Sequence, residues 1–527
     1  MKRHTSAPRL HLICARHRRM PILATGSLLD GMRCRFGAGL LIVASAVAAG
    51  CTVPDAYSGR KGWAPMDYSP LRPAASPETD SSRSNGPARQ IPQSLPDDAT
   101  LDDYIRYAMQ NSPSLEAAFY RWRAAVERVP QVTSLPDPQV GFAVILDQVE
   151  QDAEHMGERY SISQMFPWFG KLALRGDMAA EDARAEAQRF EAARLELVER
   201  VTRAWFEYAW LQEAGATARK NLDLLARLES VTRSLYRAGT VSQADVNRAQ
   251  IELGRLDDQV RSLADMQGPA AADLNAALGR PALAPIPAPL PPSRQTLTDL
   301  PERSDQDWLA MARRDNPRLT ASRHEITRVQ HSIALARKDY YPDVRLGVEY
   351  ARDGSARMAM MDGGGADMVA GMISFTIPLQ RGRIDAGVRE AEARHHAANR
   401  DVLDQELALD ASLKGALFTY RDSSRRLQLY GDTLVPKARQ SMVVTEMAYR
   451  ASDAAFSDLI DAQRVLLEFE LAHERAAADR AIALAQIRTL VGTSHDRGAF
   501  RVGETALDAE AKPHTADPKE PQQGPTP

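Results

Sequence analysis

Cysteine is nearly absent: the 527-residue chain carries three, Cys14, Cys34 and Cys51, all within its first tenth. Everything after Cys51 is thereby excluded from a disulfide framework, a thiolate metal site or a cysteine nucleophile. Aromatic residues are scarce at 6%, which argues against an aromatic-rich β protein. Neither charge sign dominates, because 66 Lys and Arg against 69 Asp and Glu leave a net charge of −3, so there is no basic field for nucleic acid. Long apolar runs are missing too: the one strongly apolar stretch, 36–50, has about 15 residues against the ~20 that span a bilayer as a helix. What is plentiful is alanine and leucine within the 44% hydrophobic fraction, a composition that favours long helices.

The apolar stretch follows Arg33 and Arg35 and ends Ala48-Ala49-Gly50-Cys51. A basic flank, a short apolar core and small exit residues predict an export signal over 1–50, with Met32 as an alternative start. Small residues before a cysteine resemble a bacterial lipobox, which would make Cys51 the lipidated first residue of the mature chain. The alternative is an ordinary signal peptide with an incidental cysteine. Thr52, in place of an aspartate, resembles lipoproteins sent on to the outer membrane. Residues 51–98, rich in Pro, Ser and Gly, read as an extended strap. A second such stretch, the linker 281–304, has proline at 281, 285, 287, 289, 291 and 292. The polar tail 494–527 lacks periodicity and reads as disordered.

Between these breaks lie two segments of similar length, 99–280 and 305–493, and they match each other. Asn111-Ser112-Pro113 aligns with Asp315-Asn316-Pro317 at an offset of 204, as do Pro138 with Pro342 and Val140 with Val344. Tyr236-Arg237-Ala238 aligns with Tyr449-Arg450-Ala451 at 213, a register that holds through Asp245/Asp458 to Gly279/Gly492. The nine-residue difference is expected to be absorbed by the strand hairpin. Each half reads as helix, two strands, very long helix, short break, helix. The first long helix, 172–237, contains no proline and would extend ~100 Å. Leu222, Leu225, Leu228, Val231 and Leu235 form its packing seam. After a turn at Gly239 the partner helix 242–278 returns antiparallel, and the second half repeats this over 384–449 and 456–491. Gly431 and Pro436 are expected to kink the second long helix.

Val344, Leu346, Val348 and Tyr350 alternate with Arg345, Gly347 and Glu349, apolar on one face and polar on the other. Segments 139–146, 160–167 and 368–379 are strand-like as well. Strands of about ten residues suit a tilted membrane barrel, yet four cannot close one, and lipid does not tolerate open edges. In a membrane, several chains must therefore join; a small soluble sheet is the alternative.

The lipobox, the duplicated halves and the paired Tyr-x-x-Gly/Ser…Asp-x-x-x-Ala-Gln motifs together resemble the TolC-type outer-membrane efflux channels over residues 99–493, with the lipid-anchored CusC/CzcC branch nearest. The resemblance implies an α+β membrane protein: a homotrimer whose four strands per chain form a twelve-stranded outer-membrane β-barrel, continued by a long periplasmic α-helical barrel. It implies an exit duct for a tripartite pump, whose partners are a periplasmic membrane-fusion adaptor, an inner-membrane RND-type transporter and outer-membrane lipid. No cofactor and no nucleic acid enter this reading. The branch leans towards heavy-metal cations; drugs, dyes and other organic toxicants form the alternative, and a lipid-anchored periplasmic helical scaffold is an alternative of another class.

By the same resemblance the turns Ala238-Gly239-Thr240-Val241 and Ala451-Ser452-Asp453 dock the adaptor. Gly239 also fits plain turn chemistry at a helix end needing positive φ. Asp458 and Asp461 lie three apart and share a helix face. Their ordinary role is first-turn helix support with Ser452 or Ser457 as cap; the family pattern places them, with Tyr449, at the closed periplasmic entrance, with six carboxylates in a trimer favouring cations. Asp245 is the first-half counterpart that ties neighbouring hairpins. Ala454 stands where TolC has an arginine, so that arginine link is lost. Met358, Met360, Met361 and Met368 surround a glycine-rich loop; thioethers suit soft cations, but ordinary loop and packing roles are the better reading. His395-His396 point about 100° apart and His155 has no ligand spacing, so no metal site is supported. No nucleophile, paired acids in a pocket or ligand cluster points to an enzyme.

Overall fold

The structure, a computed structural model, describes residues 95–96, 99–146, 156–287, 289, 299–352, 368–451 and 453–493. The signal, Cys51, nearly all of the strap, His155, Met358, Met360, Met361, Ser452 and the tail lie outside the described residues.

Each half opens with two helices rather than the one expected: α1 (Leu101–Asn111) and α2 (Pro113–Thr133), then α5 (Asp305–Asp315) and α6 (Pro317–Lys338). The break falls at Ser112 and Asn316, which are extended (ψ 115° and 121°). The following proline disfavours helical geometry in the residue before it and suits the first position of a new helix. Strands β1 (Gln139–Leu146) and β2 (Met156–Phe166) lead to α3 (Lys171–Arg237) and α4 (Gln243–Leu278). The second half continues with β3 (Asp343–Arg352), β4 (Met368–Thr376), α7 (Arg381–Leu429), α8 (Val435–Arg450) and α9 (Phe456–Val491).

Helix α3, at 67 residues ~100 Å long, is the spine against which α2, α4, α6 and α9 pack. Of its expected seam, Leu225 and Leu228 are buried and Leu222 and Leu235 pack beside them, in a cluster completed by Met442, Tyr449, Phe456 and Leu459 of the second half. A second cluster joins Trp205 and Phe206 to Tyr104 and Leu115 and to Ala478 and Ala481 of α9. No helix among the described residues is long and apolar enough to cross a membrane.

The second long helix does not break at its kink residues. A π turn, Tyr430–Leu434, joins α7 to α8 just before Pro436. The wider turn accommodates the hydrogen bond that proline cannot donate, and the His473 ring fills the space beside Gly431. It also corrects the bookkeeping of the repeat. Gly170/Gly382, Phe206/Phe418 and Tyr208/Tyr420 align at 212, before the turn, and Tyr236/Tyr449 at 213, after it. One residue of the nine-residue shift is therefore this turn, and not the strand hairpin.

Candidate functional site

The four strands form one antiparallel sheet in the order β1-β2-β3-β4, with β2 and β3 joining the two halves. Register assigns its faces. Val140, Phe142 and Val144 stand opposite Ile162, Tyr160 and Glu158; Ile162 faces Val348, and Leu346 and Val344 face Ile373 and Phe375. One face is thus almost wholly apolar yet exposed, Val140 at 79% and Ile373 at 65%. The other carries Gln139, Ser161, Ser163, Arg345 and an Arg159–Glu349 ion pair at 2.8 Å. At the foot of the sheet the Trp168 ring stacks on Tyr341, 5.2 Å between centroids, beside exposed Phe169. Asp343 of β3 accepts from the Trp168 backbone N–H (2.8 Å) and from the Lys171 ammonium (3.0 Å), pinning sheet to spine.

The two hairpin tips are built alike. Gly239 adopts φ +79°, and the Thr240 N–H returns to the Leu235 carbonyl at 3.0 Å. The Asp453 N–H makes the equivalent bond to Ala448 at 2.8 Å. Ala238, Gly239, Thr240, Ala451 and Asp453 are exposed, while Val241 leans on the cluster below. Asp245 closes a capping box with Ser242, whose side-chain oxygen takes the Asp245 N–H at 3.3 Å. In the second half the N-cap is Ala455, so the hydroxyl cap expected from Ser457 is not the one formed. The Asp458 carboxylate alone receives the Ala455 N–H, at 3.3 Å. Asp461 is exposed, 3.6 Å from Arg464.

Tyr449 is buried, 3% exposed, against Phe456. The Thr232 hydroxyl donates to the Leu228 carbonyl (2.9 Å), so its oxygen accepts from the Tyr449 hydroxyl at 3.0 Å. Burial foremost, with the nearby Asp245 carboxylate, raises the tyrosine pKa. Below this contact Arg464 forks onto Glu252, Nε to Oε1 at 3.0 Å, and Arg475 onto Glu207 at 2.7 and 3.0 Å. These inter-hairpin pairs escaped the sequence reading. Thr232 was visible in principle, since the 213 register places Thr445 at its counterpart; the ion pairs have no such signal.

Among the described residues no cluster of His, Cys, Asp and Glu could hold a metal. The His395 and His396 rings are 6.1 Å apart and tilted, and His395 lies against Asn399 and Gln330.

The outer membrane efflux protein family matches residues 104–280 and 308–493, the two repeats almost in full. The chain belongs to that family. As an outer membrane efflux protein it is 24% identical to the cobalt-zinc-cadmium resistance protein CzcC of Cupriavidus metallidurans, over 70% of this chain and 84% of that one. It is 21% identical to the outer membrane protein TolC of Vibrio cholerae, over 76% and 92%. The fold matches the crystal structure of CusC with a TM-score of 0.65 at 15% identity, over 75% of this chain and 92% of that one. The matching family is one of outer membrane efflux proteins, and the CusC structure is described as a transmembrane channel, which fits an efflux channel better than an enzyme.

Proposed function

We propose that three copies join their sheets edge to edge into a twelve-stranded outer-membrane barrel, continued by a periplasmic tunnel of the long helices. The chain is then the passive exit duct of a tripartite pump. The sheet carries this reading: one face is apolar and exposed, the other polar and ion-paired, and β1 and β4 each have an open edge. Lipid accepts the apolar face but not the edges, so closure by further copies is required. The aromatic group at the foot of the sheet suits a membrane interface.

In this arrangement Cys51 carries the lipid anchor, the tips around Gly239 and Ala451 dock the adaptor that links the duct to an RND-type transporter, and Asp458, Asp461, Asp245 and Tyr449 border the periplasmic entrance. Heavy-metal cations are the favoured cargo, supported by the name of the CzcC relative. The test is growth of a deletion strain on copper, silver, zinc and cobalt beside a panel of organic toxicants. Sensitivity to metals, reversed by the wild-type gene, is expected; sensitivity to organic compounds alone would replace metals by organic cargo. A purified protein that is monomeric and needs no detergent would overturn the duct and leave a periplasmic scaffold.

A further inference from the structure

The apolar face of the sheet does not stop where β4 ends. Its column Ile373 and Phe375 continues below the strand as Ile377 and Leu379, 69% and 83% exposed, and then changes to cations, Arg381 and Arg383, both exposed. Two successive tight turns carry the two-residue period past Pro378. The Leu379 N–H bonds the Ile377 carbonyl and the Arg381 N–H bonds the Leu379 carbonyl, each at 3.0 Å. Gln380, at φ −82° and ψ 71°, has the inverse γ-turn geometry common at strand ends. At the same level the Lys338 ammonium lies 5.6 Å from the centroid of the Tyr341 ring, whose other neighbour is Trp168.

The two repeats differ at this point. Lys171, buried at the start of α3, is held by Asp343 at 3.0 Å and Asp339 at 3.3 Å. Its counterpart in the 212 register is Arg383, while the 204 register places Leu135 and Gln139 where those two acids stand. A further β1 closing the edge of β4 therefore brings no acid to Arg383 from these positions. Among the described residues neither Arg381 nor Arg383 is ion-paired, and Asp385, one turn into α7, accepts from the Tyr340 hydroxyl instead.

We infer that Arg381 and Arg383, with Lys338 beside them, bind the phosphate of an anionic phospholipid headgroup in the periplasmic leaflet. This patch presupposes the membrane barrel proposed above and adds the lipid chemistry at its foot. An apolar column leading directly into guanidinium groups follows the order of a lipid, acyl chain and then phosphate. A guanidinium presents forked donors that match phosphate oxygens, and basic side chains without acid partners favour anionic over zwitterionic lipid. A protein partner would have to cover Ile377, Leu379 and the apolar sheet face above them together, whereas a bilayer already does so.

The test reconstitutes the full chain in vesicles containing brominated phosphatidylglycerol or brominated phosphatidylcholine and reads the quenching of Trp168, with Trp168→Phe as the blank for the other tryptophans. The wild type is expected to favour phosphatidylglycerol by about fivefold or more. Arg381→Gln combined with Arg383→Gln is expected to lose most of that preference. Arg255→Gln with Arg261→Gln, an equal loss of charge from exposed side chains of α4, is the control and is expected to keep it. Equal quenching by both lipids in the wild type, or a preference that the Arg381/Arg383 variant fully retains, overturns the lipid site and leaves the barrel standing. A preference that excess inorganic phosphate abolishes at constant ionic strength assigns the arginines to free phosphate and overturns the lipid. No quenching of Trp168 by either lipid overturns the barrel as well.

Discussion

Gly492 ends α9 against the backbone carbonyl of Asp315, so close that a β-carbon at 492 would overlap the oxygen. The first half repeats the contact: a β-carbon on Gly279 would lie 2.6 Å from the Asn111 carbonyl, with Pro113 beside it. Both glycines adopt positive φ, +83° and +74°. Each repeat therefore closes on itself, the last residue of its hairpin seated on the break between its first two helices.

Gly492→Ala is expected to lower stability by roughly 2–4 kcal/mol, combining left-handed backbone strain with displacement of the Asp315 carbonyl. The readout is the thermal midpoint of detergent-purified protein. Gly415→Ala is the control: its β-carbon meets nothing, and alanine is the better helix former, so the midpoint is expected to hold or rise. Equal midpoints for the two variants would remove the closing role of Gly492.

Asp461→Ala is expected to reduce cation preference in planar-bilayer recordings without loss of helix stability, since Asp461 is exposed and only loosely paired with Arg464. Asp458→Ala is expected to alter ion preference and also to cost about 0.5–1 kcal/mol, because its carboxylate holds the Ala455 N–H. Together the two substitutions are expected to raise cation leak through the closed channel. Unchanged conductance and selectivity in the double variant would remove both acids from the entrance.

Glu252 links the stability of the hairpin seam to pH. The hydrogen bond from Arg464 holds its carboxyl below the ordinary glutamate range, outweighing burial. A depressed folded pKa means that the stabilisation is fully present above the unfolded value and is lost as pH falls through the folded one. Thermal midpoints measured from pH 6 down to pH 3 are expected to fall less steeply in Glu252→Gln than in the wild type. Parallel curves would show that the pair does not contribute to acid sensitivity.

Ile373→Arg and Ser374→Arg place the same charge on adjacent residues of β4 that face opposite ways. On the apolar face it is expected to cost about 2–4 kcal/mol near the bilayer midplane and to cut the amount of assembled protein in outer membranes. On the polar face assembly is expected to survive. Loss of assembly in both variants, or in neither, would remove the lipid-facing assignment.

Much of this protein was legible in its residues, because the signals are local and occur twice. The 204 and 213 registers, the proline-free stretch of α3, the alternation of Val344 to Tyr350 and the glycine at 239 each follow from backbone preference or period, and the structure shows the corresponding repeat, spine, strand and positive-φ turn. Other features depend on what comes to lie alongside. The burial of Tyr449 depends on Thr232, more than two hundred residues earlier, standing opposite it. The Glu252–Arg464 pair joins the counterpart helices α4 and α9 at positions that are not counterparts of each other, so the 213 register gives no sign of it. The π turn records a one-residue difference, set just before Pro436 and with the His473 ring of α9 beside Gly431. Sequence by itself determined the elements and their duplication, since turns, caps and amphipathic faces are set by neighbours in the chain. Only the tertiary structure decided which member of each duplicated pair is buried within the chain and which is left at its surface, because burial depends on the partner face and not on the residue alone.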